Sequence, residues 1–320
     1  MKRMGALTSA LLCTFALAPG AMSLSASDNP KPSAVPSIAR HYPVFFITDR
    51  QQKEQSGSST LEFTGERSDK ITYGIYSPKL VPTGEKIDAN EVQVLDSKTK
   101  FYDQLKQTGA RRVAVFVHGY RKSFAGSLAF GERMASQLSI PVVVFAWPSK
   151  NLYQSYMIDE CTAEWSSFEL AAILKDVGAQ YGNENVEVIS HSMGARMVSW
   201  AYRILASQHD LEHPFGATLF FSPDMDRDTF VAEGPFIKQC SSSFKLYLDK
   251  HDSRIWLSKV LHGSPRLGTM DTTASNKKLL DSYEFDTSLP SHQIPFDVLS
   301  STVSPLTSAR ALPDNATAHR

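Results

Sequence analysis

Between residues 113 and 261, short apolar runs alternate with longer stretches of helical period, and no other feature of the chain constrains its fold as much. The runs at 113–117, 142–146, 186–189, 217–221 and 244–248 are continuous and rich in β-branched residues, as strands buried on both faces of a parallel sheet require. Between and after them, 124–138, 163–181, 195–205 and 255–261 carry apolar residues at helical spacing, the last closed by Gly263. Strand, helix, strand implies right-handed crossovers. The expected fold is therefore α/β, a doubly wound and mostly parallel sheet flanked by helices. Earlier runs at 44–48 and 71–76 are expected as antiparallel edge strands, with a further short strand near 283–285. No linker interrupts the region, which reads as one domain over 41–300.

In open α/β sheets, reacting groups gather at the carboxyl ends of strands. The run at 186–189 leads into Ser190-His191-Ser192-Met193-Gly194, and a helix with Met197, Val198, Ala201, Tyr202 and Leu205 on one face follows at once. This strand, turn and helix is the setting of a nucleophile elbow, with Ser192 at its tip. Gly194 meets the demand for a small residue two places on, and Ser190 stands where Gly is usual two places before. The plainer alternative is that Ser192 only caps the helix. An N–H at a helix start lacks an intrahelical partner, so Met193 N–H is a donor for a developing oxyanion. The run at 113–117 is followed by His118-Gly119-Tyr120-Arg121, where Gly119 permits a close turn and Tyr120 N–H is the second donor. His118 is expected to orient that loop by hydrogen bonding.

A serine hydroxyl needs a base to take its proton, and the base needs a carboxylate to fix its tautomer. In hydrolases of this fold the order along the chain is Ser, acid, His. Two histidines follow the last expected strand, and His292 is preferred because His319 is the penultimate residue of a polar tail. His262 comes too early in that order and reads as a cation at a helix end. The acid is expected at Asp252, after the run at 244–248; Asp226 is the alternative, followed by Asp224 and Asp249, which otherwise read as helix caps. Leu152, Tyr153, Tyr156 and Met157 either line an acyl or alcohol pocket or pack as a loop. No metal site and no organic cofactor is expected.

Several of these segments also occur together in a known family. The chain resembles a bacterial α/β-hydrolase family catalogued as a domain of unknown function. The likeness runs through Phe45-Phe46-Ile47-Thr48-Asp49-Arg50, Gly65-Glu66-Arg67-Ser68, Tyr73-Gly74, Val117-His118-Gly119-Tyr120, Phe145-Ala146-Trp147-Pro148-Ser149 and His191-Ser192-Met193-Gly194. It continues in Ser222-Pro223-Asp224-Met225-Asp226, His251-Asp252, Leu261-His262-Gly263 and Pro265-Arg266-Leu267-Gly268. The resemblance implies a serine hydrolase fold with Ser192, Asp252 and His292 at the triad positions, and no particular substrate.

The 320 residues carry 33 Lys plus Arg against 33 Asp plus Glu, which removes the electrostatic case for nucleic acid or for a polybasic grip on membranes. Residues 1–27 begin with Lys2 and Arg3, continue without charge from Ala6 to Ala18, and end in small residues, the layout of a cleavable secretory signal. The apolar stretch is too short to span a bilayer, so no integral span is expected after cleavage. The expected location is periplasmic or secreted. Residues 28–40 and 301–320 read as flexible lead-in and tail. An exported chain permits a disulfide, and Cys161 with Cys240 either form one or are two buried thiols. The partner expected is a small-molecule or lipid ester, hydrolysed through an acyl-enzyme; lipase, thioesterase or acyltransferase chemistry, or a non-catalytic envelope binding protein, are the alternatives.

Overall fold

The long apolar runs become strands because both of their faces are covered. This is seen in a computed structural model that describes residues 42–53, 62–79, 87–209, 211–270, 273, 276, 282–289, 292–296, 298–299 and 303. In chain order the strands are β1 (Val44–Gln52), β2 (Phe63–Tyr76), β3 (Val92–Leu95), β4 (Val113–Val117), β5 (Val142–Phe145), β6 (Val186–His191), β7 (Phe215–Phe221), β8 (Ser241–Tyr247) and β9 (Glu284–Asp286). They lie side by side in the order β3-β2-β1-β5-β4-β6-β7-β8-β9. From β1 to β9 neighbouring strands run parallel; β2 is antiparallel to both β1 and β3. The helices are α1 (Lys98–Gln107), α2 (Phe124–Leu138), α3 (Tyr156–Tyr181), α4 (Met193–Gln208), α5 (Arg227–Cys240) and α6 (Ser253–His262).

Alternate residues of each central strand enter different cores. Phe45, Ile47, Val115 and Phe145 point into the layer that holds α3 and α4 residues such as Leu170 and Met197, while Phe46, Phe116 and Val144 meet Leu128 and Met134 of α2. Each fully buried aromatic or branched side chain contributes about 1.5–3 kcal/mol of transfer free energy. The sheet therefore sits between two apolar layers and holds its strand ends in fixed positions.

The expectation for 44–48 is corrected in part. β1 does pair antiparallel with β2, but its other side pairs parallel with β5, Val44 opposite Val142. It is an interior strand, and Val44, Phe45, Phe46 and Ile47 are all buried. The edge on this side is β3, a short and largely exposed strand, so 71–76, expected at an edge, lies in β2 one strand inward. α3 begins at Tyr156 rather than 163, and α1 and α5 add helices beyond those expected. Cys161 and Cys240 are unbridged. Cys161 is exposed, whereas Cys240 is buried and its thiol is pushed up to about 12 by that burial. The expected leader, the lead-in, His319 and all of the tail but Val303 lie outside the described residues. Among the described residues no helix is long and apolar enough to cross a membrane.

Candidate active site

Ser192 sits between the end of β6 and the start of α4 with φ 53° and ψ −122°. A non-glycine residue in this region costs about 1–3 kcal/mol, so its surroundings must hold it there. They do so through the backbone: Ser192 N–H donates to Phe221 O at 2.9 Å, and its carbonyl accepts from Ala195 N–H and Asp224 N–H, each at 3.1 Å. The turn passes so near β4 that a Cβ on Gly194 would lie 2.5 Å from Val117 O and 2.7 Å from His118 O. Only glycine fits. The Ser192 side chain makes no capping bond to α4, so the cap alternative does not describe it.

The loop after β4 packs against this turn. A Cβ on Gly119 would lie 2.8 Å from Ser192 Cβ, which brings the backbone of Tyr120 beside the serine. Neither Tyr120 N–H nor Met193 N–H donates to another described residue. His118 holds the loop as expected: its Nδ1 meets Gly119 O at 2.9 Å, its carbonyl accepts from Trp147 Nε1 at 2.8 Å, and its ring stacks on Trp147. Burial, aided by the Arg50 charge, pushes its pKa well below the usual 6.5, so the ring is neutral.

Arg50, at the end of the buried part of β1, ties these loops together. Its guanidinium donates to Ala146 O, Thr64 O, Ser149 O and Lys122 O at 2.7–3.2 Å. Ser149 Oγ accepts from Arg121 N–H at 2.8 Å and donates to buried Asp159 at 2.5 Å. Sequence reading passes over Arg50 because its partners are backbone carbonyls scattered over almost a hundred residues. The only signal was its place in the Thr48-Asp49-Arg50 segment.

Asp252 and His292, forty residues apart in sequence, are brought together. Asp252 is the N-cap of α6, with Oδ1 accepting from Arg254 N–H at 3.0 Å and Ile255 N–H at 3.1 Å. Its other oxygen, Oδ2, meets His292 Nδ1 at 2.5 Å. Cap and histidine partner are thus one residue. Burial alone would raise the Asp252 carboxyl, but the hydrogen bond and charge of His292 and the two backbone N–H groups outweigh it and hold the carboxyl below its usual 3.8. A carboxylate only accepts, so Nδ1 carries a proton in this bond. The His292 ring lies 4.7 Å from that of His191, the residue preceding Ser192. Among the described residues no hydrogen bond joins Ser192 Oγ to His292; catalytic contacts of this kind often close only around a substrate. His191 was not singled out from sequence. Its ring is neutral, held well below 6.5 by burial and by His292, and it walls the site beside His292.

The remaining acids are engaged elsewhere. Asp226 caps α5 by accepting from Thr229 N–H at 2.8 Å. Asp224 is buried and bonded to Tyr156 OH at 2.5 Å, Ser258 Oγ at 2.7 Å and Arg266 Nε at 3.1 Å. Asp249 accepts from His251 N–H. His262, in the last turn of α6, faces Glu160 at 3.1 Å. Of the four residues considered as a pocket lining, Leu152, Tyr153 and Met157 are exposed, and Tyr156 is tied to Asp224.

A mostly parallel sheet with helices on both faces, and a strand, strained turn and helix at its centre, define the α/β-hydrolase class. The chain belongs to the alpha/beta hydrolase family of unknown function (DUF900), whose model matches residues 94–287. That match includes Ser192 and Asp252 and ends before His292. Solved structures similar in arrangement include an esterase/lipase from an uncultured bacterium, 9% identical over 80% of this chain and 84% of the other, with a TM-score of 0.37. An esterase of Pyrobaculum calidifontis is 9% identical over 73% and 78%, TM-score 0.37. The Francisella virulence factor BioJ is 10% identical over 79% and 81%, TM-score 0.38. No curated protein matches the sequence.

Proposed function

We propose that the protein is an exported serine hydrolase that cleaves carboxyl esters through an acyl-enzyme. The observation that carries this reading is the bond of Asp252 to His292 Nδ1, with the His292 ring against His191 at the turn that bears Ser192. In the first half-reaction Ser192 Oγ bonds to the ester carbonyl carbon while its proton passes to His292 Nε2. Asp252 stabilises the imidazolium so formed. The carbonyl oxygen takes up negative charge beside Tyr120 N–H and Met193 N–H, and each such donor is worth about 3–4 kcal/mol in the transition state. The tetrahedral intermediate then expels the alcohol, which leaves with the proton from Nε2. Water, deprotonated by Nε2, attacks the acyl-serine and releases the acid, returning the proton to Ser192. Export rests on the layout of residues 1–27.

The test is labelling with a fluorophosphonate followed by peptide mapping. An adduct on Ser192 that is lost in Ser192→Ala and weakened in His292→Ala is the expected result. Folded protein that takes no label at Ser192 refutes the reading. N-terminal sequencing of the protein recovered outside the cytoplasm checks export, with a first residue from Met22 to Asp28 expected.

A further inference from the structure

α6 turns its apolar residues outward. Its buried side presents only Ile255 and Ser258, with His262 partly buried, while Trp256, Leu257, Val260 and Leu261 are each more than half exposed. The helix cannot roll to hide them. Its start is pinned by the Asp252 cap, and Ser258 Oγ is bonded inward to Asp224 and Tyr156. Tyr156 also packs on His262, so the first turn of α3, where Met157 and Ile158 are exposed, adjoins α6 and widens the apolar surface. The exposed charges on and just before α6 all have one sign: Lys250, Arg254 and Lys259, with no carboxylate in Ser253–His262. A neutral chain as a whole conceals this local bias.

We infer that the outer face of α6 docks on an anionic phospholipid surface. A helix with Trp and Leu on one side, flanked by Lys and Arg and free of acids, suits a bilayer interface: apolar side chains enter the acyl boundary and cations meet phosphate headgroups. Charge and apolarity point to one occupant, since a lipid surface offers both complements over a wide area. The Asp252 cap places the acid of the candidate site at one end of this helix. Resting on the proposed function, docking would bring that site to esters held in a lipid layer; the docking itself does not depend on catalysis.

The test uses the protein freed of the expected leader, residues 1–27, with vesicles of phosphatidylcholine alone or mixed equally with phosphatidylglycerol, the acyl chains brominated. Tryptophan emission should be quenched by the mixed vesicles, and the quenched component should vanish in Trp256→Phe. Co-sedimentation should weaken about tenfold or more in the triple variant Leu257→Gln, Val260→Gln, Leu261→Gln, and towards the mixed vesicles alone in Arg254→Gln with Lys259→Gln. These side chains are exposed, and an unchanged circular dichroism spectrum and melting curve verify the fold. Equal quenching in wild type and Trp256→Phe overturns the proposal, as does self-association abolished by the triple variant with Trp256 unquenched, which would make the face a seat for a second copy. If Ser192 takes no fluorophosphonate while Trp256 is quenched, the catalytic reading falls and docking stands.

Discussion

Replacing Asp252 by Asn separates the two tasks of one carboxylate. Oδ1 receives two backbone N–H groups and starts α6, and Oδ2 receives His292 Nδ1. The variant keeps a single oxygen. Two N–H donors hold that oxygen at the helix start, so the amide NH2 turns toward His292. The ring can then meet it only with an unprotonated Nδ1, which puts the proton on Nε2. A protonated Nε2 cannot take the Ser192 proton. In triads of this design the wrong tautomer costs about ten-thousand-fold in kcat, or about 5 kcal/mol. Stability should hardly change, because Asn caps a helix about as well as Asp; Asp252→Ala should lose a further ~1 kcal/mol of folding stability with the cap. The assay is the hydrolysis of short-chain para-nitrophenyl esters, with thermal melts of the same samples. A kcat within about tenfold of wild type in Asp252→Asn, with an unchanged melt, would refute the role given to Asp252. No other acid could then be substituted easily, since Asp224 is spent on Arg266 and Asp226 on α5.

Gly194→Ala places a methyl group against two backbone oxygens of the β4 end, so the variant should lose about 1–3 kcal/mol and with it the Ser192 label; wild-type melting and labelling would contradict the close approach. Asp49 is buried beside Arg50, accepts from Ser166, and its carboxyl is pushed up from 3.8 to about 7 by burial. The folded state therefore holds that proton more tightly than the unfolded chain. Its contribution favours folding below the unfolded pKa and is lost as pH rises toward the folded value, by about 4 kcal/mol at most. Asp49→Asn should flatten the fall in stability between about pH 5 and pH 7 in urea titrations; a variant that keeps the wild-type slope would show that another group carries it.

The central strands were legible because a strand covered on both faces must be continuously apolar, as at Val113–Val117. The apolar run of β1 marks it as a strand but does not place it in the sheet. Its parallel partner β5 lies some hundred residues on, and nothing local reveals a neighbour brought in by a crossover. β3 has two exposed residues in four and gives little periodic signal, and Pro235 interrupts the helical pattern of α5. At the site, Ser192, Gly194 and Gly119 were readable from the strand and turn chemistry around them. Asp252 and His292 were reached through chain order and resemblance. Choosing among Asp224, Asp226 and Asp252 needs knowledge of what each carboxylate touches: a buried Arg266, a Thr229 amide or a histidine. Sequence spacing does not carry that.

The Arg50 guanidinium also sets where this fold begins. The family match opens at residue 94, yet the loops after β4 and β5 hang by three carbonyls, those of Lys122, Ala146 and Ser149, from a side chain at position 50. A fragment trimmed to the matched residues would leave β5 with a bare apolar edge and take the Arg50 donors from these three carbonyls, at about 1–3 kcal/mol for each one left buried without a partner. The smallest piece able to assemble the candidate site must therefore start no later than β1, and the loops around Ser192 in the matched core are scaffolded by residues that precede it.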